Sequence, residues 1–168
     1  MSASQSLRTA TLQAASKSSL VRRLLQQAGV LWSRSSQFQD IYSREAPSQA
    51  TALKIFENEW SSAVPGFETG KSTLFNDPRI QWLETQLGSF AGKRVLELGP
   101  LEGGHTSMLE RAGADVLSIE ANQRAFLKCL IVKNLLRLKS EFLYGDFRHY
   151  LEAVQPKSFD FVLAVGVL

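Results

Sequence analysis

The strongest pattern in the chain is an alternation that begins at Lys93. Residues 94–98 form a short apolar run, and 116–119, 141–144 and 159–165 form three more. Between these runs the apolar positions move to a spacing of three and four. Leu127, Leu130, Ile131 and Leu135 define one stripe of a helix that Asn122 can cap and that reaches about Leu138. Shorter helices fit 106–112, stopped by Gly113, and 147–154. Strands alternating with helices predict βαβ units and a parallel sheet. Runs that are apolar on both faces suit a sheet covered by helices on each side. With right-handed crossovers this is an α/β doubly wound parallel sheet, whose ligands sit at the carboxyl ends of its strands.

Ahead of this core, residues 51–92 read as a lead-in. Leu53, Ile55, Phe56, Trp60, Val64 and Phe67 surround Pro65–Gly66, which is too apolar for a free linker. They are expected to flank the main domain, with Trp60, Phe67 and Phe75 as a lid. Asp77 is a good N-cap and Pro78 a good first-turn residue, so a helix is predicted over 78–87, stopped by Gly88. Residues 33–50 are polar and turn-rich, and Pro47 forbids a helix through them.

Charge separates residues 1–50 from the rest. They hold six basic and two acidic side chains, against 13 and 14 in 51–168. The first 39 residues carry nine Ser and no acid, which is how a transit segment reads. The ordinary alternative is one amphipathic helix, capped by Ser19 and stopped by Gly29, with Leu20, Val21, Leu24, Leu25 and Ala28 on one face. A cytoplasmic location is the expectation and an organelle the alternative. The excess of positive charge is too small, without a motif, to indicate nucleic acid.

The composition excludes several classes. One cysteine among 168 residues rules out a disulfide framework within the chain. Two distant histidines, His105 and His149, leave no four-ligand zinc pattern, so no metal is expected. No apolar run approaches the roughly 18 residues of a membrane-spanning helix. Cys129 sits among Leu and Ile and is expected in the core. Arg124, Lys128, Lys133 and Arg137 are expected on the solvated side of their helix.

Candidate chemistry gathers at the predicted strand ends. Glu97 closes the first strand, ahead of a loop carrying Gly99, Gly103 and Gly104. Glu120 closes the second, about 20 residues past the glycines, where an acid can take a ribose diol. Gly145–Asp146–Phe147 follows the third. Each acid could instead cap the next helix, as Asp146 can. A dinucleotide pyrophosphate wants Gly-x-Gly-x-x-Gly, which is not the spacing here, and gains nothing from Glu97 and Glu102. A ligand with a sulfonium, an ammonium, a ribose and an adenine fits better, and S-adenosylmethionine has all four.

These segments together resemble the class I (Rossmann-like) S-adenosylmethionine-dependent methyltransferases. Val95-Leu-Glu-Leu-Gly-Pro-Leu-Glu-Gly-Gly104 is similar to their first motif, with Leu101 where the middle glycine would stand. Val116-Leu-Ser-Ile-Glu-Ala-Asn122, Phe142-Leu-Tyr-Gly-Asp-Phe147 and Phe159-Asp-Phe-Val-Leu-Ala-Val-Gly-Val-Leu168 resemble the later ones. The resemblance covers about 93–168. It implies that Glu97 and the backbone at Gly99 and Gly103 hold the methionine end, and that Glu120 accepts both ribose hydroxyls. Asp146 would accept from the adenine amino group, Phe147 would line the ring, and backbone at Ala164–Gly166 would face the ammonium. Glu102 and His105 are weaker candidates. His105 is expected to be exposed at a helix start, and His149 structural or exposed. No general base is implied.

The resemblance also implies strand order 3-2-1-4 and three further strands, so a sheet built from 93–168 is incomplete. A truncated methyltransferase domain is therefore expected, or a partner covering Phe159 to Leu168. A cofactor-binding relative that does not transfer a methyl group is the alternative, and an NAD-dependent oxidoreductase a more distant one. The methyl acceptor is not legible.

Overall fold

The structure is a computed structural model that describes residues 41–167. The chain divides into Met1–Arg44 and Glu45–Leu168, and every element named below lies in the second unit. The helix expected at 20–28 and the acid-free stretch lie outside the described residues.

Four parallel strands form the sheet: β1 (Arg94–Leu98), β2 (Asp115–Glu120), β3 (Glu141–Tyr144) and β4 (Phe161–Ala164). Their order is β3-β2-β1-β4, as the resemblance implied. β1 is central, with Glu97 beside Ser118 on one side and Leu163 on the other. β4 is shorter than the 159–165 run. At its start Asp160 clasps Arg94, whose amide donates to Asp160 Oδ2 at 2.7 Å.

The helices start where small acids and amides can hold free N–H groups. Asp77 caps α2 (Pro78–Leu87), Asn122 caps α4 (Gln123–Leu136) and Asp146 caps α5 (Phe147–Ala153), each accepting from a first-turn amide. α3 (Gly104–Arg111) instead begins at Gly103, whose φ is +74°. A short α1 (Gln49–Leu53), capped by Ser48, starts at the end of the stretch expected to be turn-rich and runs into the lead-in. Single 3-10 turns occur at Lys54–Phe56 and Leu74–Asn76. Among the described residues, no helix is long and apolar enough to cross a membrane.

Side chains alternate across the sheet. Val95, Glu97, Val116, Ser118, Glu120, Phe142 and Leu163 share one face. Leu109 of α3 and Cys129 and Val132 of α4 belong to the buried clusters on that face. Leu96, Leu98 and Ile119 point the other way, toward Phe147 and Tyr150 of α5. The α4 stripe differs from the expected one. Ala125, Lys128, Cys129, Val132 and Leu135 are buried and Leu130 is exposed. The helix is thus turned to place Lys128 inward, where it has a partner described below.

The lead-in is part of the core. Phe56, Trp60, Val64 and Phe75 are buried with Cys129, Val132 and Leu135 of α4. Trp60 Nε1 donates to the Leu53 carbonyl at 2.9 Å. Trp60 and Phe75 are therefore packed side chains of the core. Gly104 is needed where this segment meets α3, because a Cβ there would lie 2.7 Å from the Leu74 backbone. Gly104→Ala is expected to destabilise the protein by about 1–3 kcal/mol, the usual cost of overpacking. A urea midpoint equal to that of the parent would mean that Leu74 does not sit against α3.

Candidate functional site

β1 carries the candidate site. Past Leu98 the chain turns through Gly99–Gly103 into α3, and this loop is unusually left-handed. Gly99, Leu101 and Gly103 have φ of +70°, +56° and +74°. The two glycines adopt this freely, whereas it costs an L side chain roughly 1–2 kcal/mol. Leu101 must therefore be held. Its N–H donates to Glu120 Oε2 at 3.1 Å, and its carbonyl accepts from Cys129 Sγ at 3.5 Å. Gly99 is tight for a second reason: a Cβ would lie 2.1 Å from Cγ1 of Val167, beyond β4.

Glu97, Ser118 and Thr106 form a buried polar knot. Glu97 is 2% exposed and Oε2 accepts from the Thr106 hydroxyl and from Ser118 Oγ at 2.9 Å. Burial pushes its carboxyl above the ordinary value of 4.5, against the pull of both hydroxyls. Glu120 is also buried. Its two oxygens accept from Leu101 N–H and from Asn122 N–H at 2.8 Å. A carboxylate oxygen has two acceptor sites, so each keeps one for a further donor.

Asp146 differs. It caps α5 through Arg148 N–H at 2.9 Å and also takes the Arg148 guanidinium, with Nε 3.0 Å from both oxygens. Arg148 holds its carboxyl down at about 2. Each Asp146 oxygen thus has two protein contacts. Phe147 packs beside Leu98 and Ile119, on the sheet face opposite Glu97 and Glu120. Ala164 ends β4 beside Leu98, and Gly166 follows it in the open. All eight candidate residues therefore lie at or just past the carboxyl ends of the four strands, spread over both faces.

Several polar residues are more deeply placed than the sequence suggested. Glu102, in the loop, is fully buried and accepts from Ser61 N–H, Ser62 N–H and Lys128 Nζ. Lys128 is buried rather than solvated. His105 is also buried, and its Nε2 lies 2.8 Å from Asp77 Oδ2. Arg79 forks the same carboxylate and holds Asp77 well below the usual range, with His105 adding to the effect. The spacing of Lys128 with Cys129 and Val132 was the available signal, since those positions share one helix face. Burial raises the Cys129 thiol, and Glu97, Glu120 and Glu102 all push it the same way. Glu97, Glu102 and Glu120 therefore all lie close to Cys129, and Lys128 pairs with the second of them.

No family model matches the chain. No curated protein matches it either. Solved structures do match. The bifunctional kinase-methyltransferase WbdD aligns with a TM-score of 0.51 at 18% identity, over 68% of this chain and 27% of that one. This chain has the class I methyltransferase fold. EvdMO1 aligns with a TM-score of 0.51 at 22% identity, over 68% and 27%. The PH0226 protein from Pyrococcus horikoshii OT3 aligns with a TM-score of 0.44 at 26% identity, over 52% and 43%. The chain spans less than half the length of each of these proteins. In the methyltransferase fold the strand order reverses beside β1, where open α/β sheets place their ligands.

A cavity of about 580 Å³ lies elsewhere, in the lead-in, lined by Leu53, Trp60, Phe67 and Lys71 among others. None of the strand-end candidates lines it.

The raised carboxyl of Glu97 gives a pH signature. As pH rises above 4.5 the unfolded chain releases this proton before the folded one does, so Glu97 subtracts stability. Glu97→Gln removes that subtraction. Its melting temperature relative to the parent should climb between pH 4.5 and neutrality. A difference that does not vary with pH would contradict the assigned environment.

Proposed function

We propose that this chain binds S-adenosylmethionine at the carboxyl edge of β1, β2, β3 and β4 and serves as the cofactor-binding part of a methyltransferase. The single observation that carries this is Glu120, a buried carboxylate at the end of β2 with one acceptor site left on each oxygen. A ribose diol offers two such donors. The loop supports the same ligand, because Gly99–Gly104 carries no basic side chain to meet a pyrophosphate and lacks the Gly-x-Gly-x-x-Gly spacing.

When bound, the cofactor supplies an electrophilic methyl group. The rest falls to the chain's own residues. Glu120 would hold the ribose, and Glu97 with the Gly99 and Gly103 backbone would hold the methionine end. Backbone at Ala164 and Gly166 would face its ammonium. Asp146 would accept from the adenine amino group once Arg148 turns away, and Arg148 is 77% exposed and free to do so. Phe147 would line the ring. The packed lead-in excludes water from the side of the loop it covers, which favours a reaction governed by alignment.

The chain's short span relative to the matched structures favours a second reading, in which the acceptor-binding groups lie outside this sequence. β4 suits that reading, since Val162 on it is 50% exposed. Further chain or a partner would add there.

Calorimetric titration tests the cofactor assignment. S-adenosylhomocysteine is expected to bind and NAD is not. Glu120→Ala should weaken the former by about 10- to 100-fold, the worth of one or two hydrogen bonds to a charged group. Binding of NAD alone would overturn the proposal. Labelled-methyl transfer to a cell extract separates a chain that transfers the methyl group by itself from one that only binds the cofactor.

A further inference from the structure

Glu102 lies between two left-handed residues, Leu101 and Gly103, in the middle of the loop. Its carboxylate has no exposure to solvent. Oε1 accepts from Ser61 N–H at 3.0 Å and from Lys128 Nζ at 2.9 Å, and Oε2 accepts from Ser62 N–H at 2.8 Å. Lys128 donates again to the Glu59 carbonyl and lies over the rings of Phe56 and Trp60, 5.7 and 5.4 Å from their centres. Burial pushes the Glu102 carboxyl up, yet these donors hold it below its ordinary value.

A buried ion pair is a poor way to gain stability, since apolar side chains of the same volume do as well. What it adds is geometry. Three donors from two segments fix the carboxylate in one position, and the loop backbone is fixed with it. Glu120 grips the amide of Leu101. Glu102 grips the next residue from the lead-in side. A strained conformation persists where the surroundings over-determine it, and Leu101 is over-determined in this way.

We propose that Glu102 is a positioning residue: tied to Lys128 and to the amides of Ser61 and Ser62, it sets the Gly99–Gly103 loop for the methionine end of the cofactor. The lead-in is then a fixed wall of the site, and Ser61–Ser62 is its anchor. This rests on the cofactor assignment above.

The test compares two nucleosides on the full chain. S-adenosylhomocysteine carries the amino-acid end, and methylthioadenosine lacks it. In Glu102→Gln the first should weaken by about tenfold or more, and the second by less than about threefold, because one Gln nitrogen now faces a donor. Loss of both together, or of neither, in a folded variant overturns the proposal. If Glu102→Gln is unfolded by circular dichroism, Lys128→Met carries the same comparison with the same outcomes, since its stem still covers Phe56 and Trp60. If the parent binds neither nucleoside, the cofactor assignment fails and the clamp is judged by amide exchange. Faster exchange at Leu101 and Gly103 with β1 unchanged supports loop positioning. Unchanged loop exchange refutes it.

Discussion

A parallel strand with neighbours on both sides must be covered on both faces, and β1 imposes that demand on the chain. Its hydrogen bonds to β2 and β4 set the register of the sheet. That register brings Glu97 beside Ser118 and Leu98 beside Ala164. The crossovers then carry α3 and α4 to one face and α5 to the other. Because β1 has neighbours on both sides, the loop leaving it touches β2, α4, the lead-in and Val167 past β4. The candidate site is therefore a consequence of where β1 ends.

Much of this was legible in the sequence because it is local. Asp77, Asn122 and Asp146 each cap a helix through an amide two residues on, and short-range chemistry of this kind shows in the residue order. The four strands appear as apolar runs, and the strand-end acids stand next to them. The errors arose where a partner is distant. Lys128 reads as a solvated residue until a carboxylate 26 residues earlier is placed beside it. His105 reads as exposed until Asp77, 28 residues earlier, is folded against it. Leu101 stands where the resembled motif has glycine, and that was the hint of its left-handed backbone; leucine itself does not prefer it, and Glu120 and Cys129 hold it there.

The site also shows how opposing demands are met in a small volume. Glu97, Glu102 and Glu120 share one region yet are stabilised differently. Glu102 has a lysine and two amides. Glu120 has two amides and spare acceptor sites. Glu97 has only hydroxyls, and burial dominates it. The least compensated of the three lies deepest within β1, where the sheet holds it regardless of its cost. The better compensated pair hold a loop that would otherwise relax.

The lead-in has a consequence for how the chain is made. Lys128 lies 69 residues after Glu59, whose carbonyl it binds. A ribosome adding roughly 5–20 residues per second would need several seconds to bridge that interval. During that time Phe56, Trp60 and Val64 emerge with no α4 to cover them. They form an apolar segment waiting for its counterpart, of the kind that chaperones recognise. The lead-in thus leaves the ribosome well before the helix that covers it.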